Sequence, residues 1–427
     1  MMATNALQTL FNVVDMIFVG RLGPSPIAAV SIVGVILMIP FALILGISIA
    51  TGAMVSRYFG AKEFDRANHI ALQSLLTGLY GGLLIMILGV VLAPYLINLF
   101  GVDADVHNLA TVYIRIIFIS SVAMALQFLT ASIFQAVGDA NTALWIMTGA
   151  VLLNIVLDPL LIFGFGPFPR LEVAGAAWAT SISRFFGMTI ALIFLFRKKT
   201  HLHIKWEGFR FDFDIVKKLL KIGLPGSLQM MLRSMSGIIM MGIVAGYGTF
   251  ALAAFGIGIR IDMLVMMPGF GLAGATGTLV GQNLGALKPE RAAKSAWSAV
   301  SSYLLIMTGA GILFYLFAGN IFHLFNNNAQ VITNGVGYIR ILVFSYPFLA
   351  IAIVLNRALG GAGETMITMI VTAFALFAIA IPLAFILPKA LNLGVRGIWA
   401  AIVISNVVNA FIISFIFILG RWKHKKV

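Results

Sequence analysis

The stretch that decides the fold is Leu83–Leu92, LLIMILGVVL, in which no position is polar. A strand of a membrane β-barrel would alternate apolar and polar residues over roughly ten positions. A run that is apolar on every face is instead typical of a helix surrounded by hydrocarbon. The whole chain has this character, because 61% of its 427 residues are apolar and 10% are charged, against about 25% charged residues in an ordinary soluble domain.

Apolar runs of roughly 20 residues, the length that crosses about 30 Å of hydrocarbon, recur along the chain. They predict an all-α integral membrane protein with twelve transmembrane helices. The predicted spans are Met1–Gly20, Ile27–Val55, Asn68–Leu92, Leu109–Val137, Ala143–Phe163, Val173–Phe196, Ile215–Ala245, Phe250–Val280, Ala292–Phe317, Val331–Leu359, Thr365–Leu387 and Val395–Leu419.

The distribution of Lys and Arg predicts the orientation of these spans. An even number of spans puts both termini on one side, and a cytoplasmic position for them places most basic loop residues and the tail Arg421–Lys426 inside, as the positive-inside rule requires. We therefore expect a multi-pass protein of the plasma (inner) membrane. The formal net charge of +14 is explained by this topology, and no basic soluble domain predicts nucleic-acid binding. The chain has no cysteine, which excludes disulfides and thiolate chemistry.

The two halves of the sequence repeat each other. Arg57–Ala61 corresponds to Gln282–Ala286, and Tyr113–Ile116 corresponds to Tyr338–Ile341, at the same offset of 225 residues. Parallel six-helix repeats imply a pseudo-two-fold axis along the membrane normal and a central cavity, as in alternating-access transporters. The predicted division is an N-terminal lobe 1–200, a cytoplasmic linker 201–214 and a C-terminal lobe 215–427 with a basic tail.

The repeat also bears on the first helix. Leu7–Gln8 corresponds to Leu228–Gln229, and the second half has more helical residues upstream of that point. We therefore expect helix 1 to lack its front part in this chain.

Four polar residues within the predicted N-terminal spans are candidates for a coupling site: Asp15, Asn154, Asp158 and Thr180. Ionisable groups at membrane depth are costly and for that reason mark function. Asn154 and Asp158 are four residues apart and share a helix face, and Asp15 and Thr180 fall at a similar depth. Carboxylate, amide and hydroxyl oxygens are suited to a proton or to a hard cation such as Na⁺. The alternative is that Asp15 and Asp158 only shape helix ends.

Arg260 and Asp262 form a secondary candidate within a C-terminal span. Their two-residue spacing points the side chains to different faces of a helix. A structural ion pair between helices and a place in a substrate cavity both stay open.

The sequence resembles the multidrug and toxic compound extrusion (MATE) family over essentially its whole length. Asn12–Asp15 followed by Phe18–Gly23 matches the first-helix motif of the family. The paired post-helix motifs of the family are matched by Gly281–Ala286 and Arg57–Ala61. Within the family the chain looks most like the archaeal and DNA-damage-inducible branch. In that branch a first-helix Asp, a fifth-helix Asn-x-x-x-Asp and a sixth-helix Thr form the N-lobe cation site, which Asp15, Asn154, Asp158 and Thr180 match. The C-lobe offers Ser236 and Arg357 where another branch has acidic residues, which puts a C-lobe sodium site in doubt.

The resemblance implies a secondary active multidrug efflux transporter that exchanges small organic compounds, often cationic and amphipathic, for H⁺ or Na⁺. We expect no other cofactor, no nucleic acid, surrounding membrane lipids and a monomer. No Walker motif indicates ATP hydrolysis. A flippase for lipid-linked precursors is the alternative within the same architecture, and a strongly basic cavity would favour it. A membrane-embedded enzyme is a further alternative, for which Asp15 and Asp158 are the only candidate pair.

Overall fold

The computed structural model describes residues 15–197 and 210–425, and within these ranges the chain forms helices and loops without a β-strand. The helix that begins in the described part with residues 15–20 is α1. The α-helices that follow are Pro24–Gly60 (α2), Phe64–Asn98 (α3), Ala104–Ile119 (α4), Ser121–Ala136 (α5), Ala140–Phe163 (α6), Glu172–Phe196 (α7), Phe213–Ala245 (α8), Thr249–Gly285 (α9), Pro289–His323 (α10), Ala329–Leu342 (α11), Tyr346–Gly361 (α12), Thr365–Ala373 (α13), Ile381–Ala390 (α14) and Val395–Leu419 (α15).

Ten helical segments of the described residues are long and apolar enough to cross a membrane, and the bent pair α4 and α5 makes an eleventh. Two of the ten are composite, since a 3₁₀ turn at Val343–Ser345 joins α11 to α12 and a π-helix at Phe374–Ala380 joins α13 to α14. The all-α membrane fold predicted from the sequence is confirmed. Residues 1–14 of the first predicted span and 201–209 of the predicted linker lie outside the described residues.

The helices group into two compact units, and the boundary falls between Leu224 and Pro225, within α8. The first unit has a core between α2, α3, α4 and α7, with Tyr113, Ile114 and Phe118 among the buried side chains. The second unit has a core in which Tyr303, Tyr338 and Trp399 are buried. Each unit therefore positions its own polar side chains.

The predicted single span Leu109–Val137 is wrong in one respect, because Ser120 breaks it into α4 and α5, which are bent by 46°. The hydroxyl of Ser120 donates to the carbonyl oxygen of Ile117 at 2.8 Å, and that of Ser121 donates to Phe118 O at 2.6 Å. Serine hydroxyls that bond back to the preceding turn compete with the helical ladder and bend it.

Two close helix approaches depend on glycine. A Cβ at Gly175 of α7 would lie 2.3 Å from the carbonyl oxygen of Leu161 in α6, and one at Gly361 of α12 would lie 2.1 Å from Gly277 O in α9. A Cβ at Gly277 would in turn lie 3.0 Å from the carbonyl oxygen of Arg357. Any other residue at Gly175 or Gly361 would push the helices apart.

Candidate functional site: a buried carboxyl pair

The structure places the four predicted coupling residues on three helices of the first unit. Asp15 begins the described part of α1, Asn154 and Asp158 lie on α6, and Thr180 lies on α7. All four are buried, with Asp15 the most exposed at 7%. The close α6 and α7 packing at Gly175 brings Thr180 alongside α6.

Hydrogen bonds and electrostatic interactions join these side chains into one cluster. The Thr180 hydroxyl donates to Asp15 Oδ2 at 2.9 Å, and the Asn154 amide Nδ2 donates to Asp158 Oδ1 at 3.2 Å. The Asp15 carboxyl also interacts electrostatically with Asp158 and Asn154. The structure therefore brings together all four residues that the sequence singled out.

Three oxygens of the cluster are not satisfied by the described residues. Asp15 Oδ1, Asp158 Oδ2 and Asn154 Oδ1 are buried and have no hydrogen-bond partner among the described residues. The two carboxyls interact, but neither can donate a hydrogen bond while both are ionised. Buried charge without a partner is costly, and two carboxylates in one site favour uptake of a shared proton.

The donor set also fits a sodium ion. Carboxylate, amide and hydroxyl oxygens are the ligands of hard cations. Within residues 15–197 and 210–425, no group of three or more His, Cys, Asp or Glu side chains is arranged around a metal position. A bound Na⁺ would be held by the carboxylates of Asp15 and Asp158 together with the Asn154 and Thr180 oxygens.

Sequence reasoning missed two residues at this site. Arg184 lies one turn beyond Thr180 on α7, donates from Nη1 to Ser120 Oγ at 3.4 Å, and interacts electrostatically with Tyr113 and Asp15. Tyr113 of α4 is buried and interacts with Asp15 in the same way. A signal was present for both, because Arg184 is an ionisable residue inside the predicted span Val173–Phe196 and Tyr113 belongs to the repeated Tyr-Ile-Arg-Ile motif.

Arg260 and Asp262, the secondary candidate, do not interact with each other in the structure. Asp262 of α9 accepts hydrogen bonds from the hydroxyls of Tyr338 at 2.5 Å and Tyr346 at 2.7 Å. Arg260 is exposed, and among the described side chains no ion pair joins it to Asp262. Asp262 therefore connects α9 to α11 and α12, as a structural group within the second unit would.

Comparison with known proteins agrees with this architecture. The profile of the MatE family matches residues 1–160 and 225–386. The chain belongs to the MatE family.

The probable multidrug resistance protein YoeA of Bacillus subtilis is 26% identical to this MATE protein, over 100% of this chain and 93% of the relative. The FAD transporter of Shewanella oneidensis is 28% identical, over 93% and 87% of the two chains. A crystal structure of MATE in the bent conformation superimposes with a TM-score of 0.92 at 28% identity, covering 98% of this chain and 92% of that one.

Family membership makes this MATE protein a multi-pass membrane transporter, and it removes the alternative of a membrane-embedded enzyme. The two relatives named above are bacterial. They do not assign the chain to the archaeal and DNA-damage-inducible branch, which stays a prediction.

Proposed function

We propose that this MATE protein is a secondary active exporter of small organic compounds, driven by H⁺ or Na⁺ that binds at Asp15, Asn154, Asp158 and Thr180. The observation that carries the proposal is the buried carboxyl pair, in which Asp15 Oδ1 and Asp158 Oδ2 have no donor. A proton between these oxygens, or a cation bound by them, supplies the missing partner. Uptake on one side of the membrane and release on the other would drive export by alternating access.

We also propose the membrane in which the transporter lies and its orientation there. The transporter lies in the plasma (inner) membrane with both termini in the cytoplasm, as the basic loops favour. It acts as a monomer among membrane lipids.

The substrate class is not given by the relatives alone. One is named for multidrug resistance and another for FAD transport, so the names do not give a single substrate class. The resemblance to multidrug exporters supports organic, often amphipathic compounds.

The test is efflux from cells that express wild type, Asp15→Asn or Asp158→Asn, with proton and sodium gradients imposed separately. Ethidium serves as the cationic fluorescent compound and fluorescein as the anionic one. We expect gradient-driven efflux in wild type and its loss in both variants, because an amide cannot take up the proton or match the charge of a bound cation. The gradient that supports efflux identifies the ion.

The matched control is Asp105→Asn, which makes the same chemical change at an exposed residue in the first turn of α4. Its efflux should equal that of wild type. If Asp15→Asn and Asp158→Asn are folded, as judged by gel filtration, and still export under either gradient, the coupling site is wrong.

A further inference from the structure

Two arginines lie on adjacent helices of the second unit, and both helices are apolar enough to span a membrane. Arg233 is on α8, and Arg357 is on α12, in the composite span Ala329–Gly361. Arg233 is exposed at the surface of its unit, and Arg357 is half-buried. An exposed guanidinium at membrane depth is compatible with a water-filled or ligand-binding surface, and not with contact to lipid tails.

The hydrogen bonds of Gln229 fix how α8 meets the helices that surround the pair. Its amide Nε2 donates to Thr372 Oγ1 at 2.7 Å and to Thr368 O at 3.1 Å, and it lies 3.4 Å from Asn356 Oδ1. Arg233 follows Gln229 by four residues and so shares its face of α8. Arg357 follows Asn356 directly. The Gln229 contact with Asn356 therefore places the two arginines on adjacent helices, where their like charges oppose each other.

This pair has no counter-ion in the described part of the protein. The second unit contains three acidic residues there, and each is engaged elsewhere. Asp262 accepts from two tyrosines, Glu290 pairs with Lys423 at 2.8 Å and Glu364 pairs with Lys425 at 3.0 Å. Across residues 15–197 and 210–425, neither Arg233 nor Arg357 forms an ion pair or a side-chain hydrogen bond.

Two neighbouring guanidinium groups that have no acidic side chain as a partner are suited to binding an oxyanion. Each presents planar N–H donors that match a phosphate or carboxylate group. An anion between them would relieve their mutual repulsion and supply the charge that the second unit lacks.

We infer that Arg233 and Arg357 bind the phosphate or carboxylate group of an anionic substrate, an inference that rests on the proposed export function. The site lies in the second unit, whereas the carboxyl pair lies in the first. The substrate class that it selects is the organic anion, in place of the organic cation expected from the family resemblance.

The test is direct binding to the purified full-length transporter in nanodiscs of phosphatidylcholine, without an ion gradient. The probes are 4-methylumbelliferyl phosphate and 4-methylumbelliferone, which differ by the phosphate group. Wild type should bind the phosphate-bearing probe more tightly, and increasing salt should weaken this binding. Arg233→Gln and Arg357→Gln should each lower the affinity by about tenfold to a hundredfold, the range for a lost charge-assisted hydrogen bond.

Two further variants separate binding from folding. Arg291→Gln removes an exposed arginine of α10 and should bind as wild type does. Arg357→Lys keeps the charge without the planar fork and should retain part of the affinity. Without ligand, the two glutamine variants should unfold at the same temperature as wild type or higher, since like-charge repulsion is removed. A purely structural arginine would give a lower temperature and unchanged probe affinity.

The source of the oxyanion is tested by adding anionic phosphatidylglycerol to the nanodiscs. One outcome is that the lipid displaces the probe from the wild-type protein and stays bound to that protein but not to Arg233→Gln. That result would show that the site takes a lipid headgroup, and it would support the flippase alternative. If the probe still binds, the site takes a free organic anion. Equal affinity for both probes, or unchanged phosphate-dependent binding in the glutamine variants, would overturn the inference. Such a failure leaves the coupling site unaffected, because no step of this assay needs an ion gradient.

Discussion

At the scale of single residues, the three aspartates within the apolar helices differ in how their oxygens are satisfied. Asp262 receives a phenolic hydroxyl on each carboxyl oxygen, so it needs no further ligand. Asp15 and Asp158 each keep one oxygen without a donor. The same kind of side chain is therefore fully bonded in one unit and a candidate ion site in the other.

Tyr346→Phe tests the structural assignment of Asp262. The change removes the hydroxyl that donates to Asp262 Oδ1 at 2.7 Å, and it should destabilise the protein by about 1.5 to 3 kcal/mol, as expected for a hydrogen bond to a charged group. Thermal unfolding of the purified protein measures this loss. Tyr247→Phe, at an exposed tyrosine, is the control and should unfold as wild type does. An unchanged unfolding temperature for Tyr346→Phe would show that the bond contributes nothing.

Arg184 illustrates which part of the site the sequence could not supply. The prediction weighed acidic residues in the spans, and so it found the two carboxyls and their polar neighbours. The position of Arg184 next to Ser120 depends on the bend between α4 and α5, which no proline or glycine signals. With both carboxyls ionised, Arg184 leaves the group with a single net negative charge, which one H⁺ or one Na⁺ neutralises.

At the scale of helices, the sequence predicts the spans well, because a segment that is apolar on every face has few alternatives to a membrane helix. It predicts irregularities within a span poorly. The break at Ser120 comes from hydroxyls that bond to their own helix, and serine does so in some contexts and not in others. The π-helix at Phe374–Ala380 has no distinctive composition at all.

Gly175→Ala tests the contact that brings α7 to α6. A Cβ there would meet backbone atoms of Leu161 at 2.3 Å, so the helices must separate and Thr180 must move relative to Asp158. We expect a lower unfolding temperature together with loss of gradient-driven efflux. Gly149→Ala of α6 is the matched control, since its Cβ would meet Phe186 Cε1 at an ordinary 3.6 Å. The control should be neutral or stabilising by up to about 1 kcal/mol through helix propensity. Wild-type stability and efflux in Gly175→Ala would contradict this account of the packing.

At the scale of the whole molecule, the orientation in the membrane can be tested by labelling introduced thiols. Because the sequence has no cysteine, no native thiol is labelled in such an experiment. Arg66→Cys and Asp105→Cys place single thiols at exposed positions in the first turns of α3 and α4, so that nearly the whole of α3 lies between them along the chain. With both termini in the cytoplasm, a charged, membrane-impermeant maleimide should label Asp105→Cys in intact cells. It should label Arg66→Cys only after the membrane is opened. The reverse pattern would invert the proposed topology.

The close approach of α9 and α12 has a consequence for how a ligand would be received. Gly277 and Gly361 leave no room between the two backbones, and the carbonyl oxygen of Arg357 lies against Gly277. The main chain that carries this guanidinium is therefore held in place before any ligand arrives. A preorganised site loses little conformational entropy on binding. An anion would therefore bind without a rearrangement of this part of the backbone.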